Sequence, residues 1–529
     1  MSKLFKICAA GILGCALSAA AAQDNSTTPS SPASGSGQEP AQEPQQPEQQ
    51  PVQPVPAYGQ ENTPPTISEN PPISGLDLPS LEPHAAPLSY VQAGARVSEA
   101  LDSNPTNTLG GGTNFRSVSR ALGSVTLRRL WRNYDLGVDY LGGVGYYNVQ
   151  GEGWKSLQQM DLEQKITWKR GQLSLRDSFS YLPEGNFGGA YGGLGTQGIE
   201  SLGTTAFGSF WGGSSLGTLG LAPRILNLSL AEVEQRLTPK SAITAAGGYT
   251  FSHFYGVDDV TGASFIGSSQ VSAQTGYDRI LTPHTQMALV YGYQGFDFSV
   301  LGTAFHSHVI QGMYGHRISG RMDLLIGAGP QITFIDTITA GCSDSTIPPL
   351  LCTFAGDTLV NTTDKNTRVG VAARARLRYQ FTRTSVSLNY ERFETSGSGL
   401  FTGAQTDVIR LGAFHPLNRV WTLSFDLGYS HNSRIQPLTI QQIEQCTATT
   451  QTSQTACPAN DARSYNVGFI GGGVHRDFGR TLRGNLSYQF SELGFDSSFC
   501  VGTGACDRIS HRNTIMFGLD WTPRPIRID

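Results

Sequence analysis

Six cysteines carry the most reactive chemistry in this 529-residue chain: Cys342 and Cys352, Cys446 and Cys457, Cys500 and Cys506. Neighbouring thiols form either local disulfides or a soft-metal site. A metal site needs histidine or carboxylate ligands beside them, and no such cluster accompanies any pair. Three disulfides, each closing within one connection, is the reading the spacing favours. A second group is a ladder of like charge at alternate positions, Arg374, Arg376 and Arg378, followed by Glu391. Such a run repels itself unless it is solvated or paired. His306 and His308 also share a strand face, in the manner of ordinary polar positions rather than metal ligands. No HExxH, Gly-Xaa-Ser-Xaa-Gly or Walker pattern is present, so neither an enzyme nor a cofactor is expected. Basic residues are dispersed rather than clustered, which argues against nucleic-acid binding.

The arginine ladder belongs to a stretch that alternates from Arg368 to Glu391. Val369, Val371, Ala373, Ala375, Leu377 and Tyr379 point one way, and Arg374, Arg376, Arg378 and Gln380 the other. Period two is the mark of a β-strand with one apolar and one polar face. The runs are long for a soluble sheet, and arginine on every second residue suits a wet lumen better than a core. Only 38% of the chain is hydrophobic and 15% charged, with 63 glycines and no apolar run long enough for a spanning helix. The expected fold is therefore all-β: a transmembrane antiparallel barrel, apolar outside and polar inside. A soluble β-sandwich is the weaker alternative.

The same reading divides the chain into three. Residues 1–22 form a signal peptide, with Lys3 and Lys6 before an apolar run and Ala20-Ala21-Ala22 as the cleavage site. A lipoprotein signal at Cys15 is the alternative. Cys8 and Cys15 leave with this segment. Residues 23–87 are a Pro/Gln/Ser-rich spacer carrying eight acids and neither Lys nor Arg. Its composition offers nothing to bury, so a disordered periplasmic linker is expected. Removing those acids and the two signal lysines takes the net charge from −4 to about +2 for the barrel. From residue 88 to 529 about 18 strands (16–18) can be counted, joined alternately by short polar turns and longer, variable loops. Trp131-Arg132-Asn133, Thr238-Pro239-Lys240 and Thr382-Arg383-Thr384 are examples of the turns. All three cysteine pairs fall on the long-loop side. Tyr90, Trp131, Tyr134, Trp168, Tyr255 and Trp421 near strand ends suit an interfacial girdle facing membrane lipid.

On the polar faces lie Arg120, Arg128, Arg176, Arg374, Arg376, Arg378, Arg410 and Arg483, with Asp139, Asp161, Glu163, Asp278, Asp323, Glu391, Asp426 and Asp520. Of these, Arg374, Arg376, Arg378, Arg410, Glu391 and Asp426 are the expected pore-lining set.

Ile515, Phe517, Leu519 and Trp521 alternate and end in an aromatic residue. This resembles the carboxy-terminal signal of Gram-negative outer-membrane β-barrels, and implies insertion by the barrel-assembly machinery. The chain departs from the pattern by continuing to Asp529. The third long loop, 183–224, opens Leu182-Pro183-Glu184-Gly185-Asn186-Phe187-Gly188-Gly189. It is similar to the inward-folded third loop of general diffusion porins, although Gly185 and Asn186 interrupt the motif. That resemblance implies an outer-membrane channel for passive diffusion of small hydrophilic solutes. Glu184, Phe187, Tyr191, Glu200, Phe210 and Trp211 would form its constriction, facing the arginine ladder. The alternative is a structural or adhesive barrel that binds partners through disulfide-stapled loops. Solute specificity and homo-oligomeric state stay open.

Thiol mapping of the mature protein should find the pairs 342–352, 446–457 and 500–506 and no free thiol. A Cys342–Cys446 bond would break the assignment of each pair to one loop.

Overall fold

The computed structural model describes residues 89–104, 115–148, 153–182, 224–255, 267–298, 303–342, 359–395, 401–435, 463–496 and 509–528. The signal segment, the linker and most of the long connections, including 183–223 and five of the six loop cysteines, lie outside these residues.

The described chain is a run of long strands: β1 (Tyr90–Asp102), β2 (Arg116–Leu130), β3 (Tyr134–Tyr147), β4 (Gly153–Trp168), β5 (Gly171–Leu182) and β6 (Arg224–Thr238). Next come β7 (Ser241–Phe254), β8 (Ser268–Thr282), β9 (Thr285–Phe298), β10 (Thr303–Ser319), β11 (Met322–Cys342) and β12 (Leu359–Gln380). Then follow β13 (Ser385–Thr395), β14 (Ala404–Pro416), β15 (Trp421–Arg434), β16 (Ser464–Asp477), β17 (Leu482–Phe495) and β18 (Ile509–Trp521). A two-residue β19 (Ile526–Arg527) ends the chain. Each long strand pairs antiparallel with the next, and β18 pairs back onto β1, so the sheet closes. The eighteen long strands are those read from the alternation, most of them to within a few residues at each end.

Two boundaries differ. The sequence suggests strands over 321–336 and 366–381, whereas β11 reaches Cys342 and β12 begins at Leu359. Beyond Thr337 and before Ala373 the two extend past their outer neighbours and pair only with each other among the described residues. The parts the sequence reading missed, 337–342 and 359–365, lie in this paired extension. Within the same strand, Pro330 cannot donate to a ladder. It lies where the β10–β11 pairing is interrupted, between Gln331 and Ala328.

Parity along each strand fixes the faces. In β1, Gln92, Arg96, Ser98 and Asp102 are buried on the inner wall while Val97 and Leu101 are exposed outside. In β12, Arg374 is buried inside while Val369 and Val371 are exposed outside. Tyr90 corrects the expected girdle: it shares the parity of Gln92 and is buried on the inner wall. The other proposed girdle residues described as exposed are Trp131, Tyr134, Trp168 and Tyr255.

The seam between first and last strands carries two buried ion pairs. Arg96 bonds Asp520, which also accepts from Asn485 at 2.9 Å. Nearer the loop end, Arg512 donates twice to Asp102, at 2.6 and 2.8 Å. Below Trp521 the tail turns and pairs again with β1, Ile526 opposite Val91 and Arg527 opposite Tyr90. Gln92 donates to the Pro523 carbonyl at 2.8 Å. The residues after the terminal aromatic thus prolong the closure.

Removing one partner of a buried pair leaves an uncompensated charge, at a cost of about 3–5 kcal/mol. Asp102→Asn should therefore lower the urea midpoint of the folded barrel clearly, and Asp102→Asn with Arg512→Met should recover part of the loss. Equal midpoints for wild type and Asp102→Asn would remove the seam pair from the account of closure.

Candidate functional site

The inner wall is the surface on which chemistry can act, and its two ends differ. Toward the short-turn end it is a ring of cross-strand ion pairs. Arg378 of β12 grips Asp323 of β11 through Nε and Nη2, at 2.7–3.2 Å. Arg410 of β14 grips Asp426 of β15 at 2.5 and 3.0 Å. Arg483 meets Asp477 at 2.6 Å across the β16–β17 turn. On the other side Arg128 lies 3.7 Å from Asp135 and 3.9 Å from Glu163, and Arg176 lies 3.4 Å from the same Glu163. Two-point Arg–carboxylate contacts are the strong form of this interaction and fix both side chains. Paired in this way, Arg378 places a carboxylate beside the ladder, which offsets part of the repulsion among its arginines.

The six expected pore-lining residues all belong to this wall. Arg374 stands directly opposite Glu391 and Arg376 opposite Asn389. Arg378 is held by Asp323, a partner two-residue periodicity could not name because it comes from the preceding hairpin. Several of these groups keep contact with space inside the barrel: Arg410 is 27% exposed and Asp426 18%, and at the turn end Arg483 is 37% and Asp477 36% exposed. The expected constriction residues Glu184, Phe187, Tyr191, Glu200, Phe210 and Trp211 lie outside the described residues. So do Cys352, Cys446, Cys457, Cys500 and Cys506; Cys342 ends β11, but its side chain is outside the description too.

Toward the loop end the inner wall is not the wet polar surface expected. Ala100, Val118, Leu122, Leu141, Tyr147, Leu157 and Met516 form one buried apolar cluster. Phe296, Phe298, Phe305, Ile335 and Ile435 form another. Beside the second, the described ends of the β13–β14 connection reach inward. β13 stays paired with β12 only as far as Arg392, opposite Ala373, and then leaves it. Glu394 then accepts from Thr333 of β11 at 2.6 Å, reaching past the intervening β12. On the β14 side Phe401 and Ala404 are both fully buried. Phe401 packs against Tyr465 at 5.2 Å, with the Arg434 guanidinium 4.7 Å above its ring. Gly403 takes a left-handed φ of 89°, and a Cβ there would lie 2.5 Å from the Phe305 ring of β10. Only glycine allows that turn to approach so closely. Nothing in the alternation announces these contacts, because Glu394, Phe401 and Gly403 meet packed chain rather than lipid or water.

The outer wall also departs from a simple apolar band. His306 and His308 lie on it, not in the lumen: Phe305, Ser307 and Val309 are the buried inner residues of β10. Tyr291 shares a hydrogen bond of 2.8 Å with His308, and Phe334 stacks on His306 at 5.3 Å. The Tyr291 arrangement recurs. Tyr140 donates to Gln158, Tyr390 to Asp407, Tyr429 to Asn466 and Tyr488 to Asn513, at 2.5–2.9 Å. In each case the partner sits on the following strand, two residues beyond the directly opposed position toward the loop end. The five pairs draw one polar belt around the barrel.

No known protein family and no curated protein matches this sequence. Solved structures do resemble its fold. The ferric-catecholate import receptor Fiu of E. coli K12, in its open form, aligns at 9% identity and a TM-score of 0.40, covering 82% of this chain and 81% of its own. OpdQ of Pseudomonas aeruginosa aligns at 9% identity and a TM-score of 0.38, covering 83% and 98%. The outer membrane protein OpdK of the same organism aligns at 8% and 0.38, covering 83% and 99%.

Replacing Gly403 by alanine forces a side chain into the left-handed region against Phe305, a strain of about 1–3 kcal/mol. The urea midpoint should fall. An unchanged midpoint would show that the segment is not held against β10.

Proposed function

We propose that this chain is an outer-membrane channel through which small hydrophilic solutes diffuse passively. The observation that carries the reading is the ring of charged side chains on the inside of a closed barrel, which keep 18–37% exposure at Arg410, Asp426, Arg483 and Asp477. Charges enclosed by a wall keep such exposure only beside water, because a dry charge is too costly. The outer wall suits lipid, with Val97, Leu289, Leu486 and Phe517 exposed between the polar belt and the turns. A closed ladder is the only sheet that leaves no backbone group unpaired in hydrocarbon. The signal segment supplies the export route, the terminal strand is what the barrel-assembly machinery would engage, and the linker lies in the periplasm. On this reading the 183–224 loop also enters the lumen and, together with the inward-reaching Glu394, Phe401 and Gly403, narrows the path. No catalytic step is involved.

The buried apolar clusters of the loop end favour a second reading. If they close the lumen, the barrel is a structural or adhesive element presenting its stapled loops.

Planar-bilayer recording separates the two: discrete conductance steps are expected from the channel and none from the blocked barrel. The ion pairs make a selectivity prediction. Arg378→Ser leaves Asp323 unpaired, so the reversal potential should move toward cation preference, whereas Arg378→Ser with Asp323→Ser should move it much less. Replacing Arg374, Arg376 and Arg378 together by Ser should shift it furthest, and deleting 190–215 should raise conductance. No change in any of the four would make the ring scaffolding.

A further inference from the structure

The short-turn rim is a ring of unopposed positive charge. Seven of the eight short turns carry Lys or Arg, and none of the eight contains Asp or Glu. Arg132 stands in the β2–β3 turn, Lys169 and Arg170 in β4–β5, Lys240 in β6–β7 and Arg321 in β10–β11. Arg383, Arg419 and Arg480 complete the circuit, and Arg524 of the tail adds to it. All are exposed, and none of these nine forms an ion pair among the described residues. The nearest acids are already engaged: Asp135 by Arg128, Asp323 by Arg378, Asp477 by Arg483 and Asp520 by Arg96. So many like charges on one rim repel one another and attract an anionic partner.

The chain itself supplies one at the same place. Residues 23–87 contain eight acids, Asp24, Glu39, Glu43, Glu48, Glu61, Glu69, Asp77 and Glu82, and no Lys or Arg. They join the barrel at Ser89, which is fixed on this rim: its Oγ accepts from the Leu130 amide at 3.0 Å, and its carbonyl accepts from the Ile528 amide at 2.9 Å. The linker therefore leaves between the Arg132 turn and the tail that carries Arg524. We propose that the acidic linker docks on the basic rim of its own barrel. A random coil of 65 residues, the length of this segment, has a root-mean-square span of about 45 Å, and prolines lengthen it. A barrel of eighteen strands is roughly 35 Å across, from strands about 4.8 Å apart and tilted about 40°. The tether thus reaches every turn, at an effective concentration on the order of millimolar. The contact is electrostatic and sequence-tolerant, as befits a segment with nothing to bury. It does not depend on whether the barrel conducts.

The test uses the mature full-length protein in zwitterionic phosphatidylcholine vesicles, with zero-length carbodiimide coupling of carboxylates to lysines and peptide mapping by mass spectrometry. Because the linker has no lysine, coupling from its acids to Lys169 or Lys240 reports docking directly. The expected result is such cross-links at low salt, falling at least five-fold at about 0.5 M salt as screening shortens to a few ångströms. Cleavage of the linker by a Glu-specific protease should also speed up when Arg132, Arg383, Arg419 and Arg480 are changed together to Gln. Absence of these cross-links, or their survival in high salt, overturns the proposal. Their disappearance when anionic phosphatidylglycerol is added also overturns it, and makes the rim a surface for lipid headgroups instead.

Discussion

Closure of the hydrogen-bonded ladder is the constraint on which everything else here depends. A sheet facing hydrocarbon cannot leave an edge, since each unpaired amide there costs several kcal/mol. Seventeen of the junctions join consecutive strands and are helped by short chain connections or hairpins. The junction between β1 and β18 has no such help, since its strands are the two ends of the barrel. It is the one where two buried arginine–aspartate pairs, Arg96–Asp520 and Arg512–Asp102, cross between strands. The tail then doubles the contact below Trp521.

Once closed, the barrel turns a local alternation into two environments, and the inner one is graded. At the turn end, charges pair across strands and stay partly wet. At the loop end, Phe296, Phe298 and Phe305 face inward and are covered. The covering comes in part from Ile435 and from Gly403, which lies against Phe305. The amide ladder and the inner packing are thus coupled, because β13 can leave β12 only where the β11–β12 hairpin carries its own pairing upward. The outer wall is graded as well. Its tyrosines hydrogen-bond polar residues on the following strand, which satisfies each hydroxyl without water and suits a level where hydrocarbon gives way to headgroups.

Most of the fold was legible in the sequence, for a definite reason. A strand between lipid and lumen must alternate, and short turns must carry turn chemistry, so Val369 to Tyr379 or Thr382-Arg383-Thr384 could be read directly. The same logic fails where an element faces neither medium. It missed the upper parts of β11 and β12. It placed Tyr90 outside, whereas its parity puts it on the inner wall. The inward contacts of Glu394, Phe401 and Gly403 left no trace, because a packed interior imposes shape rather than period.

For the candidate site, the sequence by itself determined which residues face inward, since parity along a strand is a property of the chain alone. The arginines and acids expected to line a pore are therefore on the inner wall, where their parity puts them. Tertiary structure alone decided who meets whom. Asp323 and Arg378 are 55 positions apart, and Asp102 and Arg512 410 apart. Register between strands is set by the whole closed ladder, not by any one segment of it. That is why the sequence disclosed a wall of charge, and only the closed sheet showed that its charges are paired.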